Sequence, residues 1–478
     1  MKKPLLLVLT WTTFYTGISQ PCSCVQLLDS LFKKTETNYA GYIHKVIEKR
    51  NKNYERVKFT LIKKAHDLNF EECYDVLAEY TEFFEDGHLF ITEFPRTTAH
   101  ESDSLFKLIK TYHLPGDFEE NILKRKNLHE LEGIWKDGDQ KLAILKIEKN
   151  KFYGVLIQSS NLKWRPGMVK MEIEKNRSSY TITYYRNDFS KIHFRQIHIY
   201  KEVFLPFGPY LFSKVIPVTQ ELKYINESKP QLPVIRQLDN ENILLTIPSA
   251  LIERKHLDSL LTMHEKEIRK TTNLIIDLRG NRGGNFIWSK LYEMANTQVF
   301  PVIKNRTEDD FLMLASRDNE TYFSNFKNFF TDTGGIHYYT KLNERIKENQ
   351  GKIIEFSFYN PVPDTARRIV YEYPQKVAII TDKAVASAAE AFILYMKENS
   401  SKVITYGDNT DGMIDYMNVN TILFGCKENK RYYFGYPTFF SKEIKEKPVN
   451  PTGIKPDIKI PPGIRDWVDW VKKDLKLK

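Results

Sequence analysis

The chain has 478 residues, 41% of them hydrophobic and 13% aromatic. That is too apolar for a disordered chain and long enough for roughly two to four packed domains. Its formal net charge is +10, but Lys and Arg are interleaved with Asp and Glu, as in ERKHLDSLLTMHEKEIRK at 253–270. Such interleaving marks a solvated helix face and excludes a basic nucleic-acid tract. With no nucleotide-binding fingerprint and no His/Cys cluster of zinc-site spacing, no cofactor, metal or nucleic-acid partner is expected.

The N-terminus reads as a secretory leader over residues 1–20. Met1-Lys2-Lys3 is basic, PLLLVLTWTTFYTGI is an apolar stretch too short for a comfortable bilayer span, and Ser19-Gln20 is a polar exit. No other apolar run is long enough to span a bilayer, so the expectation is an exported chain, periplasmic or extracellular. Lipid anchoring at Cys22 or Cys24 ranks second, because the residues before each lack the usual aliphatic-plus-small approach. An oxidising compartment permits disulfides, and Cys22, Cys24, Cys73 and Cys426 allow three pairings.

Residues 21–127 predict helices. VQLLDSLFKKTETNYAGYIHKVIEKR and FEECYDVLAEYTEFF carry apolar residues at three- and four-residue spacing. The second run ends at Asp86-Gly87, a helix stop, and His88 follows. Residues 128–230 change period. KLAILKIEK, FYGVLIQS, VKMEIEK, SYTITYYR and HFRQIHIYKEVF are β-rich runs bounded by turns, which predict an antiparallel sheet or small barrel.

From 235 to 478 strand-like runs (ILLTIPSAL, LIIDLRGN, VAIITD, VITYG) alternate with helix-like ones (HLDSLLTMHEKEIRK, FIWSKLYEMANT, SAAEAFILYMKEN). This predicts an α/β core with a largely parallel sheet. The polar and aromatic stretch 300–365 reads as an insertion or cap.

Two strand ends in this core carry chemistry. KVAIITDKAVASAAEAFILYM (376–396) runs from an apolar strand through a small-residue turn into a helix, with Ser387 at the turn. There a hydroxyl is exposed beside the free N–H groups of a helix start, the arrangement an acyl-transfer nucleophile needs. TTNLIIDLRGNRGGNF (271–286) ends a second strand in Gly283-Gly284, where the backbone can approach a ligand closely.

Together these segments resemble the tail-specific (C-terminal-processing) serine peptidase family. The residues are Asp277-Leu278-Arg279-Gly280-Asn281-Arg282-Gly283-Gly284 and Ser387-Ala388-Ala389-Glu390. They are followed in order by Gly407-Asp408-Asn409-Thr410-Asp411-Gly412 and Gly453-Ile454-Lys455-Pro456-Asp457. The resemblance covers about residues 235–475. It implies a crotonase/Clp-protease-like spiral core, Ser387 as nucleophile, and an oxyanion site made by the backbone N–H of Ala388 and of the Gly283, Gly284 turn. Many members carry a PDZ domain before the core; no PDZ carboxylate-binding loop is visible here, and the β-rich segment takes its place.

The departure is at the base. Many members place a lysine directly after the third motif, where this chain has Met413. Lys402 precedes the strand VITYG and reads as a helix-end charge. The tricorn-like and retinol-binding-protein-like branch instead uses an N-terminal histidine, and Asp86-Gly87-His88 resembles its motif. Histidine titrates near neutrality and suits removal of a serine proton. The third, orienting member is open: Asn450 is the nearest polar residue where that branch has a glutamate, with Asp86 and Glu390 as alternatives.

The expected function is therefore an exported serine-type peptidase acting on a protein or peptide, with Ser387, His88 and Asn450 as its catalytic residues. The alternatives are a relative retaining the fold as a peptide- or glycan-binding scaffold, and an esterase using the same residues.

Overall fold

The computed structural model describes residues 23–49, 51–68, 72–93, 99–125, 127–176, 179–197, 199, 204–207, 210–217, 232–299, 311–329, 332–357, 367–425, 432–461, 464 and 466–477. The expected leader, Cys22 and Cys426 lie outside these residues. No described helix is long and apolar enough to cross a membrane.

The first helix, Cys24–Asn38, begins at Ser23, whose side chain accepts from Gln26 N while Gln26 returns a bond to Ser23 N. This reciprocal cap satisfies two donors that a helix start otherwise leaves open. Leu27, Leu28, Leu31 and Phe32 form its buried stripe. They pack with Tyr54 and Leu61 of helix Lys52–His66 and with Leu77 and Tyr80 of helix Tyr74–Glu82. A disulfide joins Cys24 to Cys73.

The chain then leaves the helices as a strand, Phe90–Glu93, which pairs antiparallel with Tyr432–Ser441 in register Phe90↔Gly435. Gly435 is required there, because a Cβ would stand 2.3 Å from the Phe90 ring. Tyr432–Ser441 also pairs with Tyr416–Phe424 and with Phe311–Leu314, which in turn pairs with Ile353–Phe356. The segment expected as an insertion or cap thus supplies two strands to the sheet that holds the His88 segment. Helices Arg317–Ser324 and Thr333–Glu348 lie between those two strands in sequence.

Residues 133–216 form an eight-stranded antiparallel sheet. Its strands alternate, as in Ser179–Tyr185, where Tyr180, Ile182 and Tyr184 are buried. The edge strands Lys191–Ile197 and Phe204–Phe207 approach one another, with the rings of Phe194 and Phe207 5.2 Å apart. The sheet therefore rolls up around an aromatic interior that includes Trp135, Trp164 and Phe212.

The core sheet has six strands: Val234–Gln237, Asn242–Thr246, Asn273–Asp277, Lys376–Thr381, Val403–Gly407 and Ile458–Lys459. All pairings after the first are parallel. Asn273–Asp277 is buried along its whole length, which explains why it reads as a continuous apolar run. On one face Leu274, Ile276 and Ile379 pack with Leu257, Leu291 and Phe392 of helices. On the other, Ile275 and Ile380 pack with Trp467, Val471 and Leu475 of helix Trp467–Leu477. Each such side chain, fully buried, contributes about 1.5–3 kcal/mol. This rigid layer holds the two loops at the carboxyl ends of Asn273–Asp277 and Lys376–Thr381, the general ligand position of such sheets.

Candidate active site

The Asp277-Leu278-Arg279 motif is a brace. Arg279 Nε and Nη2 donate to the two carboxylate oxygens of Asp277 at 2.9 and 2.7 Å, both residues being buried. The loop beyond it is tied to the Ser387 turn by shared partners. Asp382 Oδ1 accepts from Gly280 N at 3.1 Å and Ala384 N at 3.0 Å, and Ala386 N donates to Asn281 O at 3.1 Å.

At the end of this turn Ser387 has φ 55° and ψ −120°. A side chain in this region is strained and persists only where its surroundings enforce it. It is the backbone of a sharp strand-to-helix turn that presents a nucleophile. Ser387 is half-buried, and the first turn of helix Ala388–Asn399 follows it.

Gly283, at φ +82°, lies directly against this turn. A Cβ there would stand 2.8 Å from Ala388 N and 2.9 Å from Ser387 Cβ. The missing side chain is what lets the two loops pack this closely. The Gly283 N–H is already spent on Asn281 Oδ1 at 2.9 Å, so this glycine supplies a close approach between the loops rather than a free donor. Gly284, at φ +133°, is bridged to Ala250 through Ala250 N to Gly283 O and Asn285 N to Ala250 O, a pattern that does not use its own N–H.

Glu390 organises the other side, and the sequence had offered it only as an alternative third member. Fully buried, its carboxylate accepts from Ser387 N at 2.9 Å, Thr410 Oγ1 at 2.5 Å, Gly412 N at 2.8 Å and Met413 N at 2.8 Å. Burial pushes its carboxyl above the usual carboxylate range, against the pull of these bonds. The third motif thus anchors the backbone at Ser387: Thr410 and Gly412 hold Glu390, and Glu390 holds Ser387.

The turn that carries His88 meets the third motif from the N-terminal helices. Gly87 packs on Met413, and a Cβ at Gly87 would stand 2.6 Å from Met413 Cε. Met413 is in turn joined through Glu390 to Ser387. His88 N donates to Asp86 Oδ1 at 3.0 Å, and buried Asp86 accepts from Tyr39 Oη at 2.7 Å. The His88 ring places Nδ1 2.8 Å from the carbonyl oxygen of Tyr416. A carbonyl can only accept, so Nδ1 donates in this bond, and Nε2 is the nitrogen turned away from it.

Asn450 takes a different place from the one expected. Its Oδ1 accepts from Ile414 N and Asp415 N, both at 3.0 Å, while Asp415 accepts from Val449 N and Asn450 N. It shapes the segment carrying Tyr416 and makes no bond to His88, whose orienting partner is the Tyr416 carbonyl. A main-chain acceptor has no residue-type signature, so sequence could not have shown it.

Neither nearby lysine is free. Lys383 Nζ donates to Thr410 O at 2.8 Å and Asp411 O at 3.0 Å. Lys402 Nζ donates to Tyr371 O at 2.5 Å and Glu372 O at 3.0 Å, and it precedes strand Val403–Gly407, at the opposite end of the sheet from Ser387.

Residues 244–460 match the model of peptidase family S41. No curated protein matches the chain. Among solved structures it is similar to mature CPAF complexed with lactacystin, at 13% identity and a TM-score of 0.49 over 95% of this chain and 98% of that one. A putative peptidase from Parabacteroides merdae shares 11% identity at a TM-score of 0.42 over 95% and 96% of the two chains. A lipoprotein from Streptococcus agalactiae shares 12% at 0.40 over 96% and 99%.

Proposed function

From a core at residues 244–460 that belongs to peptidase family S41, we propose an exported serine-type peptidase that cleaves a protein or peptide through an acyl-enzyme on Ser387. The observation that carries this reading is the strained Ser387 turn facing the bare Gly283. A peptide carbonyl can enter there with its carbon at the hydroxyl and its oxygen toward the Ala388 N–H.

In the proposed reaction His88 Nε2 takes the Ser387 proton as Oγ attacks the carbonyl carbon. The developing oxyanion is received by Ala388 N–H and by the N–H of Gly284. The C–N bond breaks, His88 returns the proton to the leaving amine, and water repeats the sequence to release the acid. The Tyr416 carbonyl keeps His88 in the tautomer this requires. Being uncharged, it stabilises the imidazolium less than a carboxylate would, so a modest turnover is expected. Export is supported by the Cys24–Cys73 disulfide, since such bonds persist outside the reducing cytosol.

A fluorophosphonate probe tests the assignment. Wild type should label, Ser387→Ala should not, and His88→Ala should label and hydrolyse peptide about 10³-fold more slowly. Equal labelling of wild type and Ser387→Ala overturns the nucleophile.

A further inference from the structure

The π-helix Ile43–Glu48 places two consecutive side chains, His44 and Lys45, against the surroundings of His88. Such widened turns recur at functional sites. Lys45 Nζ donates to the carbonyls of Phe84 and Glu85, which directly precede Asp86-Gly87-His88. They lie just past helix Tyr74–Glu82, where carbonyls lack intrahelical donors and a cation is favoured. Glu85 has φ 47°, a left-handed conformation that a side chain keeps only where its surroundings enforce it. The bond from Lys45 to its carbonyl is one such restraint.

The same ammonium stands 4.6 Å from the centroid of the Tyr416 ring, within reach of a cation–π attraction. Beside it, His44 Nδ1 lies 2.8 Å from the Tyr416 hydroxyl. Tyr416 is the residue whose carbonyl accepts from His88 Nδ1. Lys45 therefore touches both segments that fix the imidazole: the turn that carries the ring and the residue that supplies its acceptor. The carboxylates of Asp86, Glu85 and Asp415 attract its charge, and Lys49 opposes it.

We propose that Lys45 is a positioning residue for His88, setting the histidine turn against the Tyr416 carbonyl. The reaction it serves is that of the peptidase reading, on which the proposal rests. Lys45 exchanges no proton in that reaction and acts through His88 alone. A cavity of about 250 Å³ borders Lys45, Phe84, Glu85 and Tyr416. When Lys45 is shortened, water reaches the two carbonyls from this cavity, so the fold survives while the directional restraint is lost.

The test uses the full chain in two measurements. In the first, nuclear magnetic resonance follows the His88 imidazole in protein made with isotope-labelled histidine, the signal being assigned with His88→Gln. The Nδ1–H signal of wild type should shift or broaden in Lys45→Met and in Lys45→Ala, while circular dichroism shows both variants melting cooperatively. An unchanged His88 signal overturns the proposal. So does loss of cooperative melting in both variants, which would make Lys45 a structural residue.

In the second, Lys45→Ala should slow fluorophosphonate labelling of Ser387 about ten-fold. Propylammonium, which carries the carbon chain and ammonium that this substitution removes, should enter the cavity and restore most of the rate. Tetramethylammonium, a cation without N–H donors, should not. An unchanged labelling rate in Lys45→Ala, no rescue, or equal rescue by the two cations overturns the proposal. A wild type that does not label sinks the peptidase reading instead, and the His88 signal then decides this one alone.

Discussion

Gly87 and Met413 are fitted to each other: the glycine leaves only enough space for the methionine's terminal methyl, with a Cβ position 2.6 Å from Cε. Met413 directly follows Gly412, the last glycine of the third motif. Its thioether chain fills the space beside the histidine-bearing turn and cannot take a proton.

This contact predicts a coupled pair. Gly87→Ala should push the turn or the methionine aside and lower kcat/KM about ten-fold. Adding Met413→Ala should recover most of that loss by making room for the new methyl. A double-mutant cycle on peptide hydrolysis measures the coupling, expected at about 1 kcal/mol. Strict additivity would show that the contact does not position His88.

Glu390 holds four donors at once, so its loss leaves several buried N–H groups without an acceptor. Glu390→Ala should cost about 2–4 kcal/mol of stability by urea unfolding. Even the folded fraction should react more slowly with a fluorophosphonate, because Ser387 N is no longer held. Unchanged labelling per folded molecule would show that the strained turn stands without it.

The Cys24–Cys73 bond closes a loop of sequence separation 49 and ties the first helix to the start of Tyr74–Glu82. Replacing both cysteines with alanine should cost about 2–5 kcal/mol. Activity should fall at a lower temperature than in wild type, because the same helices deliver His88. A melting curve by circular dichroism, beside a residual-activity curve, checks both.

Lys170 lies inside the rolled sheet, its Nζ 3.7 Å from the centroid of the Trp164 ring. Burial pulls its ammonium from the ordinary value near 10.5 down to about 7. The folded state thus binds this proton less tightly than the unfolded state. The penalty is full below pH 7 and fades as pH rises toward 10.5, so stability should climb across that window. Lys170→Met should be more stable than wild type at pH 7 by about 1–4 kcal/mol, with the difference closing near pH 10. Parallel urea titrations at the two pH values test the slope.

Much of this was legible because the signals were local. The apolar run Leu274-Ile275-Ile276 lies in the buried central strand Asn273–Asp277, and the run that begins at Val377 lies in its neighbour Lys376–Thr381. The alternation in SYTITYYR is a strand with its tyrosines inward. Gly283 reads as a place where a ligand approaches the backbone, and what the structure sets against it is the Ser387 turn. What sequence could not show were contacts between distant segments. Pairing of Phe90–Glu93 with Tyr432–Ser441 carries no spacing signature, and polar, aromatic 300–365 gave no hint of strands in the same sheet. Asn450 is instructive: its residue type suggested a partner for histidine, but its oxygen was already claimed by the main chain two residues from Tyr416.

The antiparallel pairing of Phe90–Glu93 with Tyr432–Ser441 also fixes an order of events during synthesis. The segment bearing His88 leaves the ribosome more than three hundred residues before its sheet partner. Until that partner emerges, the strand has no edge to add to and His88 has no Tyr416 carbonyl to face. Each nascent chain therefore holds the His88 turn without its partner strand until residue 441 has emerged, and on the proposed reading cleavage cannot precede that meeting.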